Sequence, residues 1–293
     1  MHDGGRNEKV LPQLIKTRFI LAAAAAALIA WGYNSMLFMH IPNVFNDPKE
    51  DMSFAWYVPI FSLYVLWTER KLIKDSLGDP SWLGALLVVP AVFIGFLGVR
   101  GIQTRLAILS LIMLLVTVPW AFFGRRTAAR FLFPALFLLF CIPLASFLDI
   151  ITVHLRLFAT SMASAILDGF GANIVRTGTM ISAADGSFGI DIAAPCSGLR
   201  SIFALMALTA GYAYFNQPTY LRRAILFATS VPLAILGNVM RILTIVLVGT
   251  TASPDFATGF YHDYSGYIVF IVAIALMVVA GDLISRLWQW RRK

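Results

Sequence analysis

The hydrophobic positions of the chain fall into long apolar runs separated by short polar or charged segments. A helix that crosses a bilayer needs roughly 20 mostly apolar residues. The pattern predicts eight membrane-spanning helices, at residues 19–41, 52–68, 82–99, 106–123, 131–149, 196–215, 224–249 and 264–285. The first run continues from an alanine-rich stretch to Ile41 and is too long for the core of a signal peptide. We therefore expect a retained anchor rather than a cleaved signal, in an all-α integral membrane protein.

A long external loop, residues 150–195, separates the fifth and sixth predicted spans. Its first part, 150–168, is typical of an interfacial or shallowly inserted helix. Two β-prone stretches follow around Asp185 and Gly186, a favoured turn pair, and predict a short β-hairpin just before Cys196. The predicted organisation is a basic cytoplasmic tail (1–18), four N-terminal transmembrane helices (19–130) and a transmembrane core (131–293) that carries the candidate site.

Composition agrees with a membrane protein and fixes its expected orientation. The 293 residues are 59% hydrophobic and 13% charged, and the mean hydropathy is +0.79, which excludes an ordinary soluble domain. The net charge of +8 is spread over the short loops rather than along one stripe, so we expect no nucleic-acid partner. Sixteen basic residues fall on one side of the predicted membrane and five on the other. The positive-inside rule then predicts that both termini are cytoplasmic.

Two basic residues, Arg200 and Arg241, remain inside predicted spans, where an ionisable side chain is a functional-site hypothesis by default. The only two cysteines are Cys141 and Cys196, and they form no CxxC pair. The four histidines are scattered, with no cysteine at ligand spacing. We therefore expect neither a disulfide framework nor a metal or other cofactor.

Polar residues of three distant segments are predicted to meet near the external face of the membrane. Cys196 begins the sixth span, and Arg200 follows it by one helical turn. Asn238 and Arg241 share a face of the seventh span, and Arg241 lies about 12 Å below its external end. His262 stands at the head of the eighth span. Three segments therefore supply one candidate site at one depth.

These residue types suit nucleophilic catalysis by a cysteine. A helix N-terminus and nearby cations lower the pKa of a thiol, and the thiolate is the nucleophile. His262 could take the thiol proton and return it to a leaving amine. An arginine could stabilise an oxyanion or clamp a substrate carboxylate. Ser197 and Gly198 follow the nucleophile, and Gly198 would let a substrate backbone approach closely.

Each of these residues also has an ordinary structural explanation. A lone membrane cysteine is usually a packing residue, and we interpret Cys141, in the middle of an apolar run, in that way. An arginine near a span end usually extends to the headgroups, which covers Arg100 and Arg156. A lone histidine such as His262 is more often an exposed loop residue. The functional interpretation depends on the joint placement of the four groups.

Three motifs, PCSGLRS, GNVMRI and YHDYSGY, resemble the motif blocks of the exosortase/archaeosortase family. Its members are multi-pass membrane cysteine proteases or transpeptidases. The resemblance covers roughly residues 130–285 and implies that Cys196, Arg241 and His262 are catalytic. It places Arg200 at the arginine that commonly follows the CSG block, and we expect Asn238, Ser197 and Gly198 to contact substrate. Ala194 and Pro195 stand where many bacterial members have a Glu-Ala pair.

The resemblance also implies a substrate class and a location. Exosortases are thought to process exported, tail-anchored proteins whose C-terminal signal comprises a short Pro-Glu-Pro-like motif, a transmembrane helix and a basic tail (a PEP-CTERM-type signal). The implied location is the bacterial cytoplasmic (inner) membrane, with the site on the extracytoplasmic side and membrane lipids as further partners. Two other functions remain open: a non-enzymatic transporter or exopolysaccharide-export subunit, and a membrane acyltransferase that uses Cys196.

Overall fold

A computed structural model describes residues 4–48, 50, 52–144, 148–191 and 199–290. The chain divides into two compact units, Met1–Pro143 and Leu144–Lys293. Each unit is mainly helical, and each has its own buried core. The two units are therefore described separately.

Six α-helices and three short turns of other helical types make up the described part of the N-terminal unit. The α-helices are α1 (Gly4–Gly32), α2 (Ile41–Asn46), α3 (Tyr57–Thr68), α4 (Arg70–Asp75), α5 (Trp82–Arg100) and α6 (Thr104–Phe137). A π-helical turn, Met36–His40, precedes α2, and 3₁₀ turns cover Ser53–Trp56 and Leu138–Cys141. The predicted basic tail is therefore helical from Gly4 onward, as part of α1.

Helices α5 and α6 pack closely because glycines of α5 meet the backbone of α6. A Cβ at Gly84 would lie 2.5 Å from the backbone nitrogen of Ala121, and one at Gly98 would lie 2.6 Å from that of Ala107. Small residues at such contacts are typical of membrane helix pairs, in which close van der Waals packing replaces the hydrophobic effect. The glycine positions therefore fix how these two helices pair.

A sharp break divides α6 at Gly124, whose φ of +83° is in the left-handed region. The loop before α5 covers this break: the Gly78 N–H donates to the Phe123 carbonyl at 2.9 Å, and the Ser81 N–H donates to the Ala121 carbonyl at 3.0 Å. A Cβ at Gly124 would lie 2.7 Å from the Asp79 carbonyl oxygen. Only glycine suits this position, and the break agrees with the predicted loop between the fourth and fifth spans.

The predicted span at 131–149 is not one continuous helix. Helix α6 ends at Phe137, a 3₁₀ turn continues to Cys141, and a new helix begins at Asp149. Pro143 lies between them and cannot donate the hydrogen bond that would continue a helix. Residues 145–147 lie outside the described part of the chain. The run is apolar throughout, so its composition gave no indication that the helix is interrupted.

Where the structure describes it, the C-terminal unit contains four long helices, a short one and a small sheet. The helices are α7 (Asp149–Gly169), α8 (Leu199–Asn216), α9 (Tyr220–Thr251), α10 (Pro254–Phe256) and α11 (His262–Trp290), with a π-helical turn at Ala257–Tyr261. Helix α7 corresponds to the predicted interfacial helix at 150–168. It is, however, long and apolar enough over Ile150–Gly169 to cross a membrane.

The predicted hairpin is part of a three-stranded antiparallel sheet in the order β1 (Ile174–Thr177), β2 (Met180–Ala183) and β3 (Gly189–Asp191). The turn at Asp185 and Gly186 joins β2 to β3, and Gly186 has a φ of +74°. The extra strand arises because Gly178, with a φ of +64°, makes a second tight turn between β1 and β2. The sequence pattern predicted a single hairpin and not this additional turn.

The sheet is anchored on the core of the C-terminal unit by Phe188, which is 3% exposed. Phe188 shares a buried cluster with Ile181 of β2, Ala163 of α7 and Val246 of α9. Its ring lies directly over Gly249, where a Cβ would collide with it. The strand β3 that leads toward Cys196 is thus attached to helix α9.

Six helices of the described chain are long and apolar enough to span a membrane. They are Ile15–Gly32, Trp82–Arg100, Thr104–Cys141, Ile150–Gly169, Tyr220–Thr251 and Tyr264–Gln289. The apolar segment Ser53–Thr68 is shorter, and α8 is outside this set. The prediction of eight spans is therefore not confirmed, whereas the all-α multi-pass class is.

Candidate functional site

A polar contact in the C-terminal unit joins α9 to α11 at Arg241. Its Nε donates a hydrogen bond to the Oγ of Ser265 at 3.3 Å, and Ser265 is 1% exposed. The guanidinium lies against Gly266, where a Cβ would be 3.4 Å from Cζ. Ser265 therefore orients the guanidinium, and Gly266 provides the space in which it lies.

Asn238 and Arg241 lie on the same side of α9, as their spacing predicts. Both line a cavity of about 20 Å³, together with Ser201 of α8 and Gly266 of α11. A cavity of this size holds about one water molecule. Asn238 is buried, so its amide faces the interior of the unit rather than bulk solvent.

The start of α8 reaches the same cavity. The helix begins at Leu199, and Ser201 lines the cavity, while the side chain of Arg200 is exposed. Cys196, Ser197 and Gly198, the predicted nucleophile and its neighbours, lie outside the described residues. The described chain resumes at Leu199, three residues after Cys196, and Ser201 is the first residue of α8 that lines the cavity with Arg241 and Asn238.

His262 is the first residue of α11. Ser265 and Gly266 follow it at the spacings that share one helix face. Both of these residues contact Arg241, so His262 is placed on the side of α11 that faces α9. The side chain of His262 is outside the described part of the structure.

The structure therefore brings together the segments that the sequence predicted to meet. The start of α8, the Asn238–Arg241 turn of α9 and the start of α11 surround one small cavity. The catalytic roles of Cys196, Arg241 and His262 and the substrate-binding roles of Arg200, Asn238, Ser197 and Gly198 remain predictions. The arrangement is nevertheless the one that a shared site requires.

Several supporting residues had no role in the sequence interpretation. Ser201 and Gly237 line the cavity, and Phe188 with Gly249 holds the sheet that leads toward Cys196. Ser201 could have been found, because it follows Arg200 in the motif block. The Phe188–Gly249 contact could not, because it joins residues about 60 positions apart that no helical or strand period relates.

Within the described segments, no group of three His, Cys, Asp or Glu side chains is placed to hold a metal ion. The cavity lining supplies instead a guanidinium, an amide and a hydroxyl, from Arg241, Asn238 and Ser201. A guanidinium and an amide N–H are donors suited to a carbonyl oxygen, an oxyanion or a carboxylate.

Comparison with known proteins agrees with the motif resemblance. A protein-family model described as "Transmembrane exosortase" matches residues 44–279. No curated protein sequence and no solved structure matches the chain. The family match extends beyond the motif region into the N-terminal unit and covers well over half of the 293 residues. This chain therefore belongs to the transmembrane exosortase family.

Proposed function

We propose that this chain is a membrane-embedded cysteine protease or transpeptidase that cleaves a C-terminal sorting signal of exported proteins. The proposed substrate is a tail-anchored protein with a PEP-CTERM-like signal, which comprises a short motif, a transmembrane helix and a basic tail. Family membership supports the substrate class. The contact of Arg241 with Ser265 and Gly266 carries the assignment of the site, because it joins the start of α11 to the Arg241 turn of α9.

In the proposed acylation step, the Cys196 thiol gives its proton to His262, and the thiolate attacks the carbonyl carbon of the scissile peptide bond. The carbonyl oxygen becomes an oxyanion, which Arg241 and Asn238 would stabilise by hydrogen bonds. Collapse of this intermediate breaks the C–N bond. His262 returns the proton to the leaving amine, so that the released tail is neutral at its new N-terminus and Cys196 carries a thioester.

In the proposed deacylation step, a water molecule or an acceptor amine or hydroxyl attacks the thioester. His262 removes the proton of this nucleophile and gives it to the departing Cys196 sulfur, which restores the thiol. Water gives a free carboxyl end, and an acceptor gives a transferred product. No redox or cofactor step is needed for this sequence, because electron pairs only move between carbon, sulfur, nitrogen and oxygen.

The fixed position of Arg241 supports its assignment to the oxyanion rather than to initial binding. Its Nε is bonded to Ser265, and its plane lies beside Gly266, so little reorganisation is needed when charge develops. Arg200, in contrast, has an exposed side chain at the start of α8. We assign Arg200 to substrate affinity, through a carboxylate of the recognition motif.

The proposed site faces the extracytoplasmic side of the bacterial inner membrane, with both termini in the cytoplasm. The positive-inside rule supports this orientation. The basic residues of the tail, of Arg70–Lys74 and of Arg125–Arg130 all fall on the same side of the predicted membrane. Reporter fusions after residues 75 and 293 should report cytoplasm, and a fusion near residue 185 should report the exterior. A cytoplasmic signal at 185 would overturn the orientation and the substrate model together.

The decisive experiment is to trap the thioester. A synthetic peptide that carries the motif and the transmembrane segment is mixed with the protein in nanodiscs and quenched in acid. Mass spectrometry should then detect the proteolytic peptide that contains Cys196 with an added mass. This added mass should equal the mass of the N-terminal substrate fragment minus one water molecule. Cys141→Ala is the matched control and should trap the same adduct. An adduct on Cys141, or none in a protein that cleaves the peptide, would contradict the proposal.

A further inference from the structure

A second polar cluster lies at the opposite end of α9 from Gly249, where α8 turns into α9 against α11. Gln217, in this turn, is 2% exposed. Its Nε2 donates to the Gly281 carbonyl at 3.1 Å and to the Ser285 Oγ at 3.2 Å. The α8–α9 turn is thereby fixed on the last turns of α11, one turn before Trp288.

Arg222, at the start of α9, is buried in this cluster with 7% of its surface exposed. Its Nε has no hydrogen-bond partner among the described residues. Its guanidinium lies 5.0 Å from the centre of the Trp288 ring. A buried guanidinium N–H without an acceptor is unfavourable, because it has lost its hydrogen bond to water. The site therefore favours an anion.

The start of α9 adds positive potential at the same place. Thr219 caps the helix by accepting a hydrogen bond from the Arg222 N–H, and the first turn contains no acidic residue. Cations at a helix N-terminus are opposed by the helix dipole, which favours anions there. Two consecutive arginines, Arg222 and Arg223, thus stand at the end of α9 where their charge is least favourable.

Arg223 shows that the two arginines are not equivalent. Its Nε donates to the Gln217 carbonyl at 2.8 Å, and its guanidinium lies 4.8 Å from the Tyr214 ring centre. Arg223 is therefore satisfied by the end of α8. Residues that only set membrane orientation need no burial, as the exposed Arg125 and Arg126 illustrate. A buried Nε without an acceptor among the described residues distinguishes Arg222 from them.

We propose that the start of α9 binds the phosphate of an anionic phospholipid headgroup, held by Arg222 and the first N–H groups of the helix. The chain spans a membrane, and Tyr220 and Leu221 beside the site are 87% and 57% exposed, so a headgroup at this helix end has direct access to the first turn. A guanidinium binds phosphate oxygens through two parallel hydrogen bonds. Helix N-termini bind phosphate, and basic pockets between membrane helices bind anionic lipids. The inference is independent of the proposed cleavage reaction.

The test compares the protein in nanodiscs of phosphatidylcholine alone with nanodiscs that also contain phosphatidylglycerol. The unfolding temperature and the number of phosphatidylglycerol molecules retained in native mass spectrometry are measured. We expect phosphatidylglycerol to raise the unfolding temperature of the wild type. Arg222→Gln should lose this increase and retain the lipid about tenfold less well or worse, as expected for a lost charged hydrogen bond. Arg126→Gln removes the same charge from an exposed position and should respond like the wild type.

Thr219→Asp keeps a capping side chain and supplies a carboxylate at the same helix end. It therefore tests the site while Arg222 stays in place. This variant should unfold at a higher temperature in phosphatidylcholine alone and should gain less from phosphatidylglycerol. A wild-type lipid response in Thr219→Asp or in Arg222→Gln would overturn the proposal. So would an equal increase caused by inorganic phosphate in phosphatidylcholine nanodiscs, which would identify a free anion as the ligand.

Discussion

The two units use their buried polar groups differently. In the N-terminal unit, the Tyr33 hydroxyl bonds to the Ser110 Oγ at 2.5 Å, Ser110 donates to the Ala91 carbonyl, and Ser62 donates to the Pro134 carbonyl. These bonds are complete within the helices that they join. They stabilise helix packing and leave no donor for a ligand.

In the C-terminal unit, some buried polar groups line a cavity or have no hydrogen-bond partner among the described residues. Asn238 and Arg241 line the cavity of the candidate site. The Nε atoms of Arg156 and Arg222 are buried without a hydrogen-bond partner among the described residues. A scaffold should satisfy its donors internally, whereas a binding unit keeps donors for its ligands. We therefore expect matched substitutions to change mainly stability in the N-terminal unit and to change cleavage activity in the C-terminal unit.

The two cysteines should give the largest difference. Cys196→Ala should abolish cleavage because it removes the thiol of the proposed site, while the protein remains inserted. Cys141, 4% exposed and 3.9 Å from the Ala55 carbonyl oxygen, is a packing residue of the N-terminal unit. Cys141→Ala should cleave normally. Single-turnover cleavage of a substrate peptide in nanodiscs measures both, and near wild-type cleavage by Cys196→Ala would rule out covalent catalysis by this residue.

The histidines provide the next comparison. His262→Ala should slow acylation by roughly 100- to 10,000-fold near pH 6, the usual contribution of a general base. The defect should shrink toward pH 9 as the Cys196 thiolate forms without help, because an ordinary thiol has a pKa of about 8.5. His40→Ala, in the π-helical turn of the N-terminal unit, should change neither rate nor pH profile. A His262→Ala profile identical to wild type would remove His262 from the mechanism.

The third comparison uses two arginines whose Nε atoms each make one hydrogen bond. Arg241→Lys should lose activity by about ten- to a thousandfold, the cost of a lost oxyanion donor, because lysine lacks the planar fork. Arg105 donates to the Pro143 carbonyl at 2.7 Å in the N-terminal unit. Arg105→Lys should affect stability only. The measurement is the single-turnover rate constant at saturating peptide, and full activity of Arg241→Lys would make Arg241 a structural anchor.

Two glycines distinguish packing that supports the site from packing that does not. Gly249→Val should push away the Phe188 ring and, with it, the sheet that leads toward Cys196. Gly84→Val should separate α5 from the α6 backbone at Ala121. Overpacking costs about 1–3 kcal/mol in each case, which thermal unfolding measures. Only Gly249→Val should also lower the cleavage rate of the folded fraction, and equal rates in both variants would show that the sheet does not position the nucleophile.

Local spacing explains what the sequence could predict. Asn238 with Arg241, and Ser265 with Gly266 after His262, share helix faces because a helix repeats every 3.6 residues, and the structure places these faces together. The break after Phe137 was missed because apolar composition says nothing of helix continuity. The family match confirms the motif resemblance, whose specificity came from three motifs taken jointly.

Contacts between distant segments explain what the sequence could not predict. The position of Phe188 over Gly249 depends on how the sheet docks on α9. The burial of Arg222 beneath Trp288 depends on how α11 ends against the α8–α9 turn. Neither follows from a period or a motif, and both became visible only when the helices were packed in three dimensions.

The smallest expected effect concerns the turn of the sheet at Asp185. The Ser187 hydroxyl donates to the Asp185 Oδ1 at 2.6 Å, and the Ser187 N–H donates to the same oxygen at 3.0 Å. These bonds lower the pKa of the Asp185 carboxyl below its ordinary value. A lowered folded-state pKa means that the turn is stabilised above the ordinary carboxyl pKa of about 3.9, and that this contribution is lost as the pH falls through the folded value.

Asp185→Asn keeps an acceptor for Ser187 but cannot titrate. In the wild type, hydrogen exchange of the amides of β2 and β3 should accelerate, relative to the intrinsic rate, when the pH falls from neutral to about 3, below the ordinary carboxyl pKa. The variant should lack this dependence, and cleavage between about pH 6 and pH 9 should be unchanged because Asp185 is ionised throughout. An altered cleavage profile in that window would show instead that Asp185 acts on the site itself. This distinguishes a carboxylate that only closes a turn from one that orients catalytic groups.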